Sequence, residues 1–183
     1  MTLRKMCEEK IIADTEWSVR DARGKLTHYK IIHRYYYTPV RLHKMGLIQN
    51  NLCWKCKAQA GTFLHSMWEC SLVSPFWKEV IEKLGEWLGK ALPESPQLCL
   101  MGDRSRLTPG ISRAEFGLAL TGFITAARII LRHWKSQIRP EFTEWVKLMT
   151  DNASYELMIA RLNDNKGKFY QVWGQFLNHI RGE

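Results

Sequence analysis

A chain of 183 residues and 21.5 kDa, with 45% hydrophobic and 25% charged side chains, is long enough for one compact domain or two small ones. That composition excludes wholesale disorder, collagen and simple repeats, and eight Trp provide bulk for a core. The formal charge of +9 is uneven: residues 1–50 carry ten Lys and Arg against five Asp and Glu, residues 51–110 seven against six, and residues 111–183 ten against seven. A positive field strongest at the N-terminal quarter suits a polyanion, with nucleic acid the usual partner, or is merely a basic surface.

Along the chain, residues 1–29 have weak periodicity, and WSVRDARGKLTHYK alternates around a possible turn at Arg23-Gly24, which reads as extended or coil structure. KIIHRYY from Lys30 reads as helix. Thr38 followed by Pro39 is a cap with proline at the first helical position, which starts a short helix, VRLHKM, ended by Gly46. Residues 50–70 hold three of the five Cys and form a compact loop. Phe76, Trp77, Val80, Ile81, Leu84, Trp87 and Leu88 then fall at helical spacing opposite Lys78, Glu79, Glu82, Lys83 and Glu86. Residues 91–111, with three of the six Pro, read as a connector.

Ser112 and Glu115 fit a capping box, and the predicted helix over 113–137 is apolar nearly all round from Phe116 to Leu131, which places it centrally. A helix starting at Pro140 carries Phe142, Trp145, Val146 and Met149, a shorter one runs from Tyr155 to Leu162, and a last one carries Phe169, Val172, Trp173, Phe176, Leu177 and Ile180. The expected fold class is mostly α, without βαβ units.

The chemistry is concentrated in Cys53, Cys56, His65 and Cys70, spaced C-x2-C-x8-H-x4-C. Three thiolates and an imidazole within eighteen residues match the tetrahedral Cys3His set that zinc prefers, and Gly61 lets the chain reverse between the two ligand pairs. The complex carries one excess negative charge, which Lys55 and Lys57 are placed to offset. Four protein ligands leave no open position and no Glu stands by as a base, so the zinc is structural. Cys7 and Cys99 lack neighbouring ligands and read as ordinary thiols.

Upstream, HRYYYTPVRLHK interleaves Arg34, Arg41, His43 and Lys44 with three tyrosines including Tyr36, which supplies cations for phosphates and rings for bases. Trp54 lies between the first two ligands, where it either stacks on a base or packs on the knuckle. Arg128, Arg132 and Lys135, at i, i+4 and i+7, form either a second basic stripe or a solvated face. No Gly-rich phosphate loop, no G-x-S-x-G, no adjacent Asp pair and no H-x-E ahead of the C-x-x-C is present, so no enzyme active site is expected. Charges in MTLRKMCEEK argue against a secretory leader, and the apolar run Phe116 to Ala127 is too short to span a bilayer, which points to the cytoplasm or nucleus and to no membrane partner.

The order of Arg34, Tyr36, Thr38-Pro39, Cys53-Trp54-x-Cys56, Gly61-Thr62, Leu64-His65, Trp68-x-Cys70 and Phe76-Trp77, followed by AARIILRHWKS, TEWVKLM and FYQVWGQF, resembles the C-terminal region of the reverse transcriptase polyprotein of a LINE-type non-LTR retrotransposon. The resemblance covers about residues 30–183. It implies a nucleic-acid-binding tail that engages RNA or target DNA in target-primed reverse transcription, beside an upstream reverse transcriptase domain and without polymerase or endonuclease activity or a small-molecule substrate of its own. The rival is a structural module that docks on the polymerase core. The expected organisation is a basic segment over 1–49, a remnant of an upstream domain, then a zinc knuckle over 50–72 and a helical domain over 73–183. The expected nucleic-acid contacts are Arg34, Tyr36, Arg41, His43, Lys44, Trp54, Lys55 and Lys57.

Overall fold

A computed structural model describes residues 3–181, with side chains from Glu9 to Ile180. The described residues form eight α-helices: α1 (Leu3–Ser18), α2 (Ala22–Ile32), α3 (Pro39–Lys44), α4 (Ser74–Leu88), α5 (Pro96–Met101), α6 (Arg113–Arg132), α7 (Phe142–Leu162) and α8 (Lys166–Arg181). A π-helical turn, His65–Glu69, precedes α4 and a 3-10 turn, Arg104–Arg106, precedes α6. The mostly helical class is as expected, with a metal-ligand cluster near the end of the first third.

Helix α6 is the axis. Ser112 and Glu115 form the reciprocal capping box at its start, and Lys90 holds the Glu115 carboxylate at 2.7 and 2.8 Å. Every residue from Phe116 to Ala127 is buried, because α1, α2, α4, α5, α7 and α8 all pack on this helix. Its twenty residues are long and apolar enough to cross a membrane, longer than the run read from the sequence, but here that surface is covered by the other helices. Gly122 permits the closest approach: a Cβ there would lie 2.9 Å from Leu84 on α4 and 3.3 Å from Trp145 on α7.

Three of the buried indoles donate hydrogen bonds. Trp145 Nε1 reaches Gly122 O at 2.9 Å, Trp77 Nε1 reaches Met67 O at 2.7 Å, and Trp173 Nε1 reaches Glu156 Oε2 at 2.9 Å. Trp145 also stacks on Trp87, at 5.1 Å and 7°. These side chains supply apolar area without leaving a buried donor unpaired.

Five expectations need correction. Within the expected extended or coil stretch, residues 3–18 and 22–29 are helical: Asp21 caps α2 by accepting from the Arg23 and Gly24 amides, and Val19 and Ile31 enter the core shared with α6. Cys7 lies outside the described side chains. The helix expected from Lys30 ends at Ile32, because Arg34 turns left-handed at φ 52° and Tyr35 N returns to Lys30 O.

The 91–111 connector contains α5, for which Pro96 occupies the first turn and Ser95 Oγ accepts from Leu98 N. The helix over 113–137 stops at Arg132, and the two helices expected between 140 and 162 are one. Asn152 donates to Thr125 Oγ1 on α6 and Ala153 is buried, so packing carries α7 through a stretch of low helix propensity.

Candidate metal centre and nucleic-acid interface

The knuckle is built by two local devices. Residues 51–61 form a tight hairpin in which Cys53 N donates to Gln59 O at 2.7 Å, Gly61 N to Asn51 O at 2.8 Å, and Lys57 reverses the chain at φ 57°. The second device is the π-turn, which donates Cys70 N to His65 O at 2.9 Å and so sets ligands five residues apart on one side of the chain. Thr62 Oγ1 accepts from His65 N at 3.0 Å and fixes the start of that turn. Gly61 serves differently from the expected reversal: a Cβ there would lie 2.5 Å from the Pro39 ring, so glycine is required by the close approach of α3.

Cys53 Sγ, Cys56 Sγ, His65 Nε2 and Cys70 Sγ converge with all ligand atoms within 4.8 Å of one another. Cys53 and Cys70 sulfurs are 4.0 Å apart and Cys56 Sγ lies 3.3 Å from His65 Nε2. Zn–S bonds of about 2.3 Å and Zn–N bonds of about 2.0 Å give tetrahedral edges of roughly 3.5–3.8 Å, so the set fits zinc with small adjustments.

The electrostatics agree. Burial pushes the Cys70 thiol up, and the charges of Cys53 and Cys56 push it further. At Cys56 burial opposes ionisation, but the Ala58 and Gln59 amides and the His65 ring bring the thiol below its usual value. A divalent cation relieves the repulsion among such closely set sulfurs. With all four positions supplied by protein, the zinc is structural, and Cys99, buried on α5, takes no part in the cluster.

Lys55 departs from its expected role at a phosphate. It is 2% exposed, and its ammonium donates to His133 O at 2.6 Å with Ile138 O at 3.5 Å, so it ties the knuckle to the loop after α6. Burial lowers its pKa, and the Cys70 and Cys53 charges oppose that fall, consistent with the charge-offsetting role expected for it. Arg128 and Arg132 are likewise committed, to Asp21 and Glu144 respectively, which disposes of a second basic stripe.

The remaining expected contacts face solvent or lie half-buried. Arg34 and Arg41 are exposed; the Arg41 guanidinium covers the Tyr37 ring at 4.8 Å and donates to Arg34 O at 3.4 Å. Tyr36 and Trp54 are half-buried and are brought together by Trp134, whose ring lies 5.9 Å from the first and 6.0 Å from the second, with Nε1 donating to Tyr37 O. Lys135 stands over Trp54 at 5.7 Å. His43 and Lys44 are exposed on the last turn of α3, and Lys57 at the hairpin tip.

Two features escaped sequence reasoning. Trp134 joins the two halves of the patch, and its signal was an aromatic beside cations in RHWK just beyond the apolar helix. A second aromatic group, Tyr29, His33 and Tyr35, clusters with centroids 4.3–6.1 Å apart. Both lie on or beside a stretch from Ala22 to Trp68 that contains no Asp or Glu and eight Lys and Arg. No model of a known protein family matches the chain.

Proposed function

We propose that this protein is a zinc-organised module that binds RNA or single-stranded DNA through the surface formed by residues 29–57 and the loop after α6. The observation that carries the reading is the meeting of Tyr36 and Trp54 with Trp134 and Lys135 beside a Cys3His cluster, next to the Arg41–Tyr37 pair, with residues 22–68 of that surface free of acidic side chains. Rings offer faces for bases, and cations neutralise phosphates, the combination that single-strand binding needs. Binding rather than catalysis is its role, exercised in the cytoplasm or nucleus.

The order of motifs from Arg34 to Trp77 supports the narrower reading: the C-terminal segment of a LINE-type reverse transcriptase, acting with an upstream polymerase domain in target-primed reverse transcription. The test is titration of fluorescent oligonucleotides across a salt series. Affinity should fall steeply with salt, and Arg41→Ala should lower the log–log slope by about 0.7. Salt-independent binding would overturn the reading.

The alternative, docking on the polymerase core, draws on the exposed Tyr155, Met158 and Leu162 of α7. Loss of co-purification with a polymerase domain in Met158→Glu, with oligonucleotide affinity unchanged, would favour it.

A further inference from the structure

Beside the aromatic patch lies a separate cavity of about 370 Å³ between the end of α2, the helical turn leading into His65, and α5. Ile31, Phe63 and Leu100 are among its apolar walls, while Arg34, Thr62 and Gln97 supply its polar groups. The volume falls at the low end of ligand pockets, roughly 300–1,000 Å³, which suits a single nucleotide.

The polar groups have free hydrogens. Arg34 makes no ion pair among the described residues. Thr62 Oγ1 accepts from His65 N, which leaves its own hydrogen available, and Gln97 Oε1 accepts from Ser95 Oγ, which leaves its amide NH2 free. An apolar cleft with a cation and two donors, in a wall segment of an acid-free stretch, is complementary to a flat ring carrying acceptors with a phosphate attached.

We infer that this cavity receives one unstacked nucleotide of the bound strand, the base entering between Phe63 and Leu100 and the phosphate meeting Arg34. The inference rests on the nucleic-acid reading above and adds a base-binding pocket to it. Thr62 and Phe63 stand three and two residues before the ligand His65, and Thr62 Oγ1 accepts from His65 N, so the metal cluster holds one wall of the pocket in place. Stacking surfaces accept any base, whereas a cleft with donors at fixed places favours bases that present acceptors, so this site is where base preference would arise.

The experiment uses the zinc-loaded full chain and a short oligothymidylate carrying one 5-iodouracil, photocrosslinked and mapped by mass spectrometry, with affinity measured in parallel. An adduct on Phe63 is expected. Gln97→Trp, a change at an exposed position that fills the mouth, should abolish that adduct and weaken binding about tenfold without altering the salt slope. Adducts confined to Tyr29, Tyr35, Tyr37, Trp54 or Trp134, with Gln97→Trp binding as tightly as the parent, would overturn the pocket and leave the binding surface standing. Failure of every oligonucleotide to bind would remove the nucleic-acid reading and the pocket together.

Discussion

Acid should weaken this fold through His28, a residue far from the zinc. The ring is 1% exposed between α1 and α5, with Nδ1 2.7 Å from Thr15 Oγ1. The Thr15 hydroxyl spends its hydrogen on Ile11 O, so it accepts from Nδ1–H, and the unprotonated Nε2 is left buried without a partner. Burial depresses the pKa from 6.5 to about 4, against an opposing pull from the Leu100 and Met101 backbone.

Between those two values the unfolded chain takes up a proton that the folded chain refuses. Stability is therefore full above about pH 6.5 and is lost as pH falls toward 4, after which His28 removes no more. The whole shift corresponds to about 3 kcal/mol, most of which is gone at pH 4.5. Urea unfolding of the zinc-loaded protein from pH 7.5 to 4.5, beside His28→Gln, isolates the effect. Glutamine keeps a donor for Thr15 and does not titrate, while loss of zinc in acid affects both proteins equally. The variant's stability should fall less, by most of that amount; parallel curves for the two proteins would refute the argument.

Other outcomes follow from the same geometry. Purified protein should carry one zinc, lost in Cys56→Ser and His65→Ala together with a melting temperature lowered by several degrees, as read by metal analysis and calorimetry. Gly61→Ala should cost about 1–3 kcal/mol and weaken zinc retention against a chelator, since the new Cβ meets a proline ring that cannot swing aside. Lys55→Ala removes the buried ammonium that ties the knuckle to His133 O and Ile138 O and should destabilise the fold by about 1–3 kcal/mol while leaving the salt slope of oligonucleotide binding unchanged; a fall in slope would put Lys55 back among the phosphate contacts. Trp145→Ala should cost about 3–5 kcal/mol in urea unfolding, because it opens a cavity beside Trp87 and strips the Gly122 carbonyl of its donor.

The metal cluster could be read from the sequence because ligation demands particular side chains at narrow spacings, and nothing distant is needed to complete it. The start of α6 was equally plain, since a capping box is local chemistry and its apolar circumference is written in the residues themselves. The first two helices were illegible for the opposite reason. They bury Thr15, Ser18, Gly24 and His28 along with few large apolar side chains, so their inward face looks polar until α6 is set against it. Proline misled at α5, where it opens a helix instead of excluding one. Lys55 could be recognised as basic but not as buried, because its acceptors lie 78 and 83 residues further on. The patch around Trp134 was only half visible for the same reason, its parts being distant in sequence.

The central position of α6 also sets a timetable. Helices α1 and α2 are synthesised about a hundred residues before the helix they pack against is complete, a delay of roughly 5–20 s at ordinary rates of translation. During that interval Val19, Ile31 and the apolar face of α4 lack the cover that α6 gives them in the finished fold. The zinc cluster, whose four ligands have all emerged by Cys70, is the one part that can close on its own schedule. Metal supply during synthesis thus fixes an early anchor on which the rest of the bundle later assembles.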